Sequence, residues 1–482
     1  FGENYALAAT QQRKNKDIPE GGSKGTILLD VNQQDKDRVA FEKYVDSILD
    51  LLIVGNSPGI KEKIVDNYNK PEILFFGPDE GTATFVDWAS AHARARGAQF
   101  WKAFTTGKSQ SMGGIPHDLY GMTTRSVHQY VLGIYRKRGL KEAKITKFQT
   151  GGPDGDLGSN EIKISKDRTV AVVDGSGVLC DPEGIDRVEL RRLADNRLMI
   201  SHFDTSKLTP KGFRVLVDQQ SVKLPNGQVV EDGLMFRNNF HLTTSVSADL
   251  FVPCGGRPES VDLNNVNALL DLNGKPRFKY IVEGANLFFT QEARIRLEQA
   301  GAIIFKDASA NKGGVTSSSL EVLAALALTD DEFEKIMVVK DGVIPQFYQE
   351  YIKEVHRVIE KNAELEFECI WREHRRTNKP RSIISDELSL AIVELNENMQ
   401  QSILWQNAPL RKAVLREAFP QLLLDRLGLD TLLERIPESY VRAIFGSYLA
   451  SRFVYKYGTQ PSQFAFFEFM NPFFAKIDDH YS

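Results

Sequence analysis

The chain has 482 residues, which at about 150 residues per domain points to roughly three domains and to a core that needs no covalent staples. Apolar residues make up 42% and charged residues 26%, and Lys+Arg 60 against Asp+Glu 64 leave a formal charge of -4. That balance excludes a mainly disordered chain and gives no electrostatic case for nucleic acid or an anionic membrane surface. No run of about 18 apolar residues occurs, which excludes a spanning helix. The three cysteines (Cys180, Cys254, Cys369) are widely spaced, lack metal-ligand rhythm and fit a reducing compartment.

The chain opens on Phe1 rather than Met, with no leader pattern, so it is expected to be a piece of something longer, entered in mid-domain. Residues 26–30 read as a buried strand. Residues 38–53 read as an amphipathic helix with Val39, Phe41, Tyr44, Val45, Ile48 and Leu51 on its apolar side. A short strand at 73–76 runs into the turn cluster Gly77-Pro-Asp-Glu-Gly81, and a helix is expected over 82–96. Residues 102–116, rich in Gly, Thr, Ser and Lys, read as an irregular stretch lining a cleft. The spacing then predicts a helix at 123–138 and strands at 143–150, 169–173, 198–201, 250–253, 280–283 and 302–305. Helices are expected between them at 260–270 and 291–299. Strands alternating with helices predict an α/β fold with a Rossmann-like, doubly wound parallel sheet over 116–325. The region 326–482 is helical in pattern, with segments at 331–339, 345–362, 386–399 and 411–427, and an aromatic-rich stretch ends on Asn471-Pro472.

The strand at 143–150 runs into Thr150-Gly-Gly-Pro-Asp-Gly-Asp-Leu-Gly158. Glycines after a strand and before a helix let the backbone approach a pyrophosphate, with the helix N-terminus facing the anion. In a G-x-G-x-x-G register Thr150 takes the first position, with Gly152 and Gly155 as the other two. Asp154 and Asp156 place negative charge there, and the same residues also suit a plain surface turn. Asp174, 19 positions after Gly155 at the end of the next strand, suits the ribose hydroxyls and repels a 2′-phosphate. The two features in this order favour NAD.

Two lysines and an aspartate are further candidates. Lys24 sits in Ile18-Pro-Glu-Gly-Gly-Ser-Lys-Gly25, where burial would lower its pKa and make it a base; exposed, it is an ordinary surface lysine. The run Arg13-Lys14-Asn15-Lys16 could bring a cation to the same site or simply be solvated. Asp79 stands between a strand and a helix, a place for a proton shuttle or for an N-cap.

These pieces together resemble the glutamate dehydrogenase family of the wider Glu/Leu/Phe/Val dehydrogenase superfamily, in its NAD-dependent large-subunit type found in fungi. Pro19-Glu-Gly-Gly-Ser-Lys-Gly25 matches the active-site turn, which implies Lys24 as catalytic lysine. Gly77-Pro-Asp-Glu-Gly81 implies Asp79 as catalytic acid, and Lys14 is the implied α-carboxylate lysine. Thr123-Thr-Arg-Ser126 matches a family helix start and adds Thr123 to the substrate site. Glu283-Gly-Ala-Asn286 and Asn311-Lys-Gly-Gly-Val-Thr-Ser-Ser318 imply cofactor contacts by Asn286 and Asn311, and a substrate side-chain contact by Ser318. A γ-carboxylate lysine is expected ahead of Phe1. The resemblance implies a substrate domain with a mixed sheet over 1–115, an NAD-binding domain over 116–325 and a helical region over 326–482 packing back on the first. It further implies oxidative deamination of L-glutamate with NAD, no metal, and a homo-oligomer, tetramer or hexamer, in the cytoplasm or mitochondrial matrix. Two alternatives remain: a dehydrogenase of Leu, Val or Phe, and a catalytically silent NAD-binding regulatory subunit.

Overall fold

The computed structural model describes residues 1–15, 18, 25–53, 73–77 and 83–478. Its first part holds helices α1 (Gly2–Gln12), α2 (Asp37–Leu52) and α3 (Val86–Ala95). Phe41, Val45 and Leu49 recur every four residues and form the buried face of α2. Phe41 stands edge-on to Phe76 and Trp88. Residues 26–30 are not the buried strand their composition suggests. Leu28 is 93% exposed, and Asp30 turns the chain by accepting the Asn32 N–H at the start of a 3-10 turn, Val31–Lys36. The mixed sheet expected here is, among the described residues, a single parallel bridge between Phe76 and Thr105.

Helix α4 (Met122–Arg138) leads into the strands: β1 (Thr146–Thr150), β2 (Arg168–Asp174), β3 (Gly177–Cys180), β4 (Phe213–Leu216), β5 (Gln220–Lys223), β6 (Val229–Asp232), β7 (Leu250–Pro253), β8 (Tyr280–Val282) and β9 (Ile303–Phe305). Seven of them form one sheet in the order β4-β3-β2-β1-β7-β8-β9, and β5 pairs with β6 in a separate ribbon. The strands from β2 to β9 in that order run parallel, and β3 and β4 extend the β2 edge antiparallel. Helix α5 (Asp156–Ile164) crosses from β1 to β2, while β7 pairs with the other side of β1. The strand order therefore reverses between β1 and β7, and their carboxyl ends open a crevice. Helices α6 (Arg187–Asn196) and α7 (Gln291–Gln299) cover the sheet further out.

Two expected elements here are absent, each for a polar reason. At 198–201 the chain forms a 3-10 turn, Ile200–His202, because the Ile200 N–H donates to Asp174 Oδ2 (2.7 Å) rather than to a strand. Residues 260–265 stay irregular because Asp262 Oδ1 accepts the N–H groups of Asn264 and Asn265 (2.8 and 3.2 Å), so the helix is replaced by one 3-10 turn, Val266–Leu269.

Under β1 lies a fully buried ionic cluster. Lys147 Nζ reaches Glu161 (3.1 Å), Asp167 (3.3 Å) and Ser165 Oγ (2.7 Å), and His128 faces Glu161 and Glu142. Burial would raise the Glu161 carboxyl, but the Lys147 charge and His128 outweigh it and hold it down at about 2. An acid depressed in the folded state stabilises the fold above its ordinary value of 4.5, and that contribution is lost as pH falls towards 2. Glu161→Gln should start from lower stability and lose about 3 kcal/mol less than the parent chain across that window. Urea unfolding at stepped pH measures this, and parallel curves for the two proteins would refute it.

The rest of the described chain is mainly helical and includes α8 (Gly313–Ala327), α9 (Gln346–Thr377), α10 (Arg381–Gln401), α11 (Ala408–Ala418), α12 (Gln421–Leu427), α13 (Glu438–Tyr457) and α14 (Ala465–Asp478). The segment expected at 411–427 is split, with Pro420 at the head of α12, whereas Pro472 is held inside α14. Phe367 of α9 packs against Tyr130 of α4 and Phe305 of β9, each aromatic burial contributing about 1.5–3 kcal/mol. This helical region also returns to the first part of the chain: the Ser389 hydroxyl donates to Arg13 O (2.7 Å) and the Trp101 indole to Asp330 (3.2 Å). Among the described residues no helix is long and apolar enough to cross a membrane.

Candidate active site

The glycine turn leaves β1 at the crevice. Gly151 has φ +84°, and a Cβ on it would come within 2.6 Å of Gly255 N in the loop after β7, so only glycine fits. A Cβ on Gly152 would stand 2.4 Å from Asp174 Cβ, which places this glycine directly against the strand-end acid. Gly155 is the N-cap of α5, and a Cβ there would meet open space, the nearest atom being Gly152 O at 3.8 Å. The close helix-to-turn packing falls instead on Gly158, where a Cβ would lie 2.2 Å from Gly152 O and 2.4 Å from Gly151 O. Sequence spacing pointed to Gly152 and Gly155 and passed over Gly158. The free N–H groups of the first turn of α5 thus lie next to the unobstructed Gly155.

Asp174 is buried at the end of β2. Its Oδ1 accepts from the Ser176 N–H and hydroxyl (2.8 and 2.7 Å) and its Oδ2 from the Ile200 N–H, which leaves, among the described residues, one acceptor position on Oδ2. Burial pushes this carboxyl above the usual range while those donors oppose the shift.

Across the crevice, the Gly284 and Ala285 N–H groups both donate to Pro253 O (3.0 and 2.7 Å), which seats the 283–286 loop against the end of β7. Asn311 Nδ2 donates to Gly284 O (2.9 Å) and Asn286 Oδ1 (2.7 Å), and Lys14 Nζ reaches the same Asn286 oxygen at 3.4 Å. Three residues far apart in sequence therefore meet at one point. Asn311 Oδ1 is buried and has no hydrogen-bond partner among the described residues, an arrangement that calls for an incoming donor. Behind the loop, Arg294 holds Glu283 through two bonds (2.7 and 2.8 Å), and Asp307 accepts the N–H of Leu287, whose φ is +61°.

Ser318 and Thr123 belong to a neighbouring group. The Ser318 hydroxyl donates to Thr106 Oγ1 (3.1 Å) and lies 3.4 Å from His117 Nε2. A Cβ on Gly314 would be 2.9 Å from Thr123 Oγ1 and 3.6 Å from His117 Nδ1, so both hydroxyls border His117. His117 and Thr106 carried no local signal in the sequence. This group is tied to the crevice by α8, which begins just after Asn311 and carries Ser318. Lys24 and Asp79 lie outside the described residues.

Comparison with known proteins places the chain in a family. Residues 113–378 match the family described as Glutamate/Leucine/Phenylalanine/Valine dehydrogenase. The chain is 65% identical over 470 residues to "Glutamate dehydrogenase 2" of Dictyostelium discoideum, covering 98% of this chain and 44% of that protein. It is 63% identical over 479 residues to "NAD-specific glutamate dehydrogenase" of Neurospora crassa, covering 99% and 46%. The chain thus spans less than half the length of these relatives. Among solved structures it is similar to a hetero-hexameric glutamate dehydrogenase from Thermus thermophilus in a Leu-bound form, with TM-score 0.54 and 19% identity, covering 81% of this chain and 76% of that one. That likeness concerns the fold. Since the matched stretch is more than half of the chain and holds the glycine turn, Asn286, Asn311 and Ser318, the chain belongs to the Glutamate/Leucine/Phenylalanine/Valine dehydrogenase family.

Proposed function

We propose that the chain catalyses reversible, NAD-dependent oxidative deamination of L-glutamate to 2-oxoglutarate and ammonium. The observation that carries this reading is the meeting of Lys14, Asn286 and Asn311 at the crevice, with Asn311 Oδ1 left without a donor among the described residues. That oxygen suits a carboxamide N–H, the open Gly155 suits a pyrophosphate, and the spare position on Asp174 suits a ribose hydroxyl. The residues therefore fit NAD, and the printed names of the close relatives support it. When bound, NAD supplies the hydride acceptor.

The protein's part is positioning and proton handling. Lys14 holds the substrate α-carboxylate as a point charge, and Ser318 and Thr123, beside His117, read the side chain. A neutral Lys24 assists attack of water on the substrate carbon, while Asp79 carries protons to and from the nitrogen. In this reading residues 1–115 form the substrate domain, 116–325 the NAD domain, and 326–482 the helical closure. The enzyme is a homo-oligomer, tetramer or hexamer, of the cytoplasm or mitochondrial matrix.

The test is NADH formation from NAD with L-glutamate, leucine, valine and phenylalanine in parallel. Glutamate should be the preferred substrate. NAD binding without NADH formation from any of the four would sink the reading and favour a silent binder. Lys24→Ala should keep NAD binding and lose about 10²–10⁴-fold in turnover; near-normal turnover would remove Lys24 from this role.

A further inference from the structure

The first turn of α5 is an unusual place for a dinucleotide phosphate, because acids crowd it. Asp154 and Asp156 lie in the turn itself, and Asp118 approaches from the short helix His117–Tyr120, close enough for Asn160 Nδ2 to donate both to Asp118 O (2.7 Å) and to Asp156 Oδ1 (3.0 Å). Burial, with the Asp118 charge added, pushes the Asp156 carboxyl up to about 6. A pyrophosphate brought to these N–H groups meets a negative field unless a cation answers it.

One does. Arg197 closes α6, and its guanidinium lies along the first turn of α5, where Nη1 donates to Gly155 O (2.8 Å) and to the Ser159 hydroxyl, and Nη2 pairs with Asp118 Oδ1. A guanidinium has five donors, and among the described residues these bonds occupy three. The Arg197 backbone is left-handed, φ +53°, at a helix C-cap where glycine or asparagine is the usual and less strained occupant. The side chain is partly exposed, so it can change partners without unfolding its surroundings. Three residues on, the Ile200 N–H donates to Asp174, and Met199 covers Gly175. The segment 197–200 thus runs from the pyrophosphate end of the crevice to its ribose end.

We infer that Arg197 is a binding residue for the pyrophosphate of the dinucleotide, its guanidinium exchanging Asp118 for a phosphate oxygen when the cofactor enters. The inference rests on the NAD reading above and adds to it a cation that offsets the acidic turn. A planar fork beside the free N–H groups of a helix start offers two parallel bonds to a phosphate, which a lysine could not.

The test is equilibrium binding of NAD, ADP and adenosine to the full chain and to Arg197→Ala, Arg197→Lys and Arg197→Gly, by calorimetry, with thermal unfolding of each protein alongside. Arg197→Ala should weaken NAD and ADP by about 10- to 100-fold, the range of one charge-assisted phosphate contact, and leave adenosine unchanged. Arg197→Lys should recover part of the loss. The glycine variant suits the left-handed backbone and keeps native unfolding, so its matching loss of ADP affinity separates phosphate binding from a folding defect. The parent protein's ADP affinity should also fall with salt more steeply than that of Arg197→Ala. ADP affinity within about threefold of the parent in both small variants, or adenosine weakening in step with ADP, would overturn the Arg197 assignment while leaving the NAD reading intact. Failure of the parent chain itself to bind NAD or ADP would overturn both.

Discussion

Glu321→Ala should destabilise the chain by about 3–5 kcal/mol, the usual result of removing one partner from a buried ion pair. Lys108 and Glu321 are both fully enclosed and bonded to one another, and Lys108 Nζ also donates to Thr105 O (2.6 Å). Glu321 Oε2 further accepts the Gly107 and Ile115 N–H groups (3.0 and 2.8 Å). The alanine variant would leave the buried ammonium with no counter-charge and only Thr105 O as acceptor, and would strip two N–H groups of the carboxylate they donate to. The double variant Lys108→Met, Glu321→Gln should regain at least half of the loss, because the amide oxygen can keep both N–H groups while the buried charge is gone. Urea unfolding of the three proteins decides it, and a Glu321→Ala loss below about 1 kcal/mol would refute the account. The consequence reaches the site. Residues 105–115 are fastened by this pair to α8, the helix that carries Ser318, and Thr106 is the acceptor of the Ser318 hydroxyl. The same variant should therefore raise the KM for substrate more than the KM for NAD.

The parts of the fold that sequence spacing revealed are those whose determinants are local. A strand of Phe148, Gln149 and Thr150 followed by glycines, a short helix and an acid-ended apolar strand is a single covalent unit, and its order alone marks the crossover at β1–α5–β2. The failures share a cause. Leu198, Met199 and Ile200 have strand-like composition, but the Asp174 carboxylate takes the N–H that a ladder would need. Val261 and Leu263 suit a helix, but Asp262 offers the backbone a competing set of bonds. In both cases one carboxylate overrides a weak propensity. Helix α9 runs to Thr377, beyond the 362 expected, because Phe367 keeps facing α4 and the sheet and Ile370 stays buried, a packing decision that residue types alone do not record.

The candidate site divides in the same way. Gly152, Gly155 and Asp174 are candidates from spacing, Asn286, Asn311, Ser318 and Thr123 from family motifs, since each sits in a short distinctive string, and Lys14 only from its place ahead of the Lys24 turn. His117, Thr106, Glu321 and Arg197 belong to no such string. They become visible when the chain brings residues hundreds of positions apart together, as with Ser318 and Thr106, or Lys14 and Asn286. Gly158 was missed for a different reason. A register anchored on Thr150 ended at Gly155, three residues short of the glycine that the packing of α5 requires.

That difference in register has a measurable outcome. Gly158→Ala should reduce NAD affinity by about 100-fold or more and destabilise the chain towards the upper end of about 1–3 kcal/mol. Its Cβ would fall 2.2 Å from Gly152 O and 2.4 Å from Gly151 O, both main-chain atoms that cannot swing aside. Gly151 is itself fixed against Gly255, so the strain must move α5. Once the first turn of α5 withdraws, its N–H groups leave the phosphate position, and two charge-assisted bonds at about 1.5 kcal/mol each account for the affinity. Gly155→Ala should behave differently. Its backbone (φ -85°) suits any residue and its Cβ meets nothing closer than 3.8 Å. Stability should therefore stay within about 0.5 kcal/mol of the parent. NAD should still weaken by about 10-fold, because the added methyl occupies space next to the phosphate rather than space inside the protein. Chemical unfolding and calorimetric NAD titration of both variants separate the two roles. Equal stabilities for Gly155→Ala and Gly158→Ala would show that the turn packs on a different glycine and would return the register to Thr150, Gly152 and Gly155.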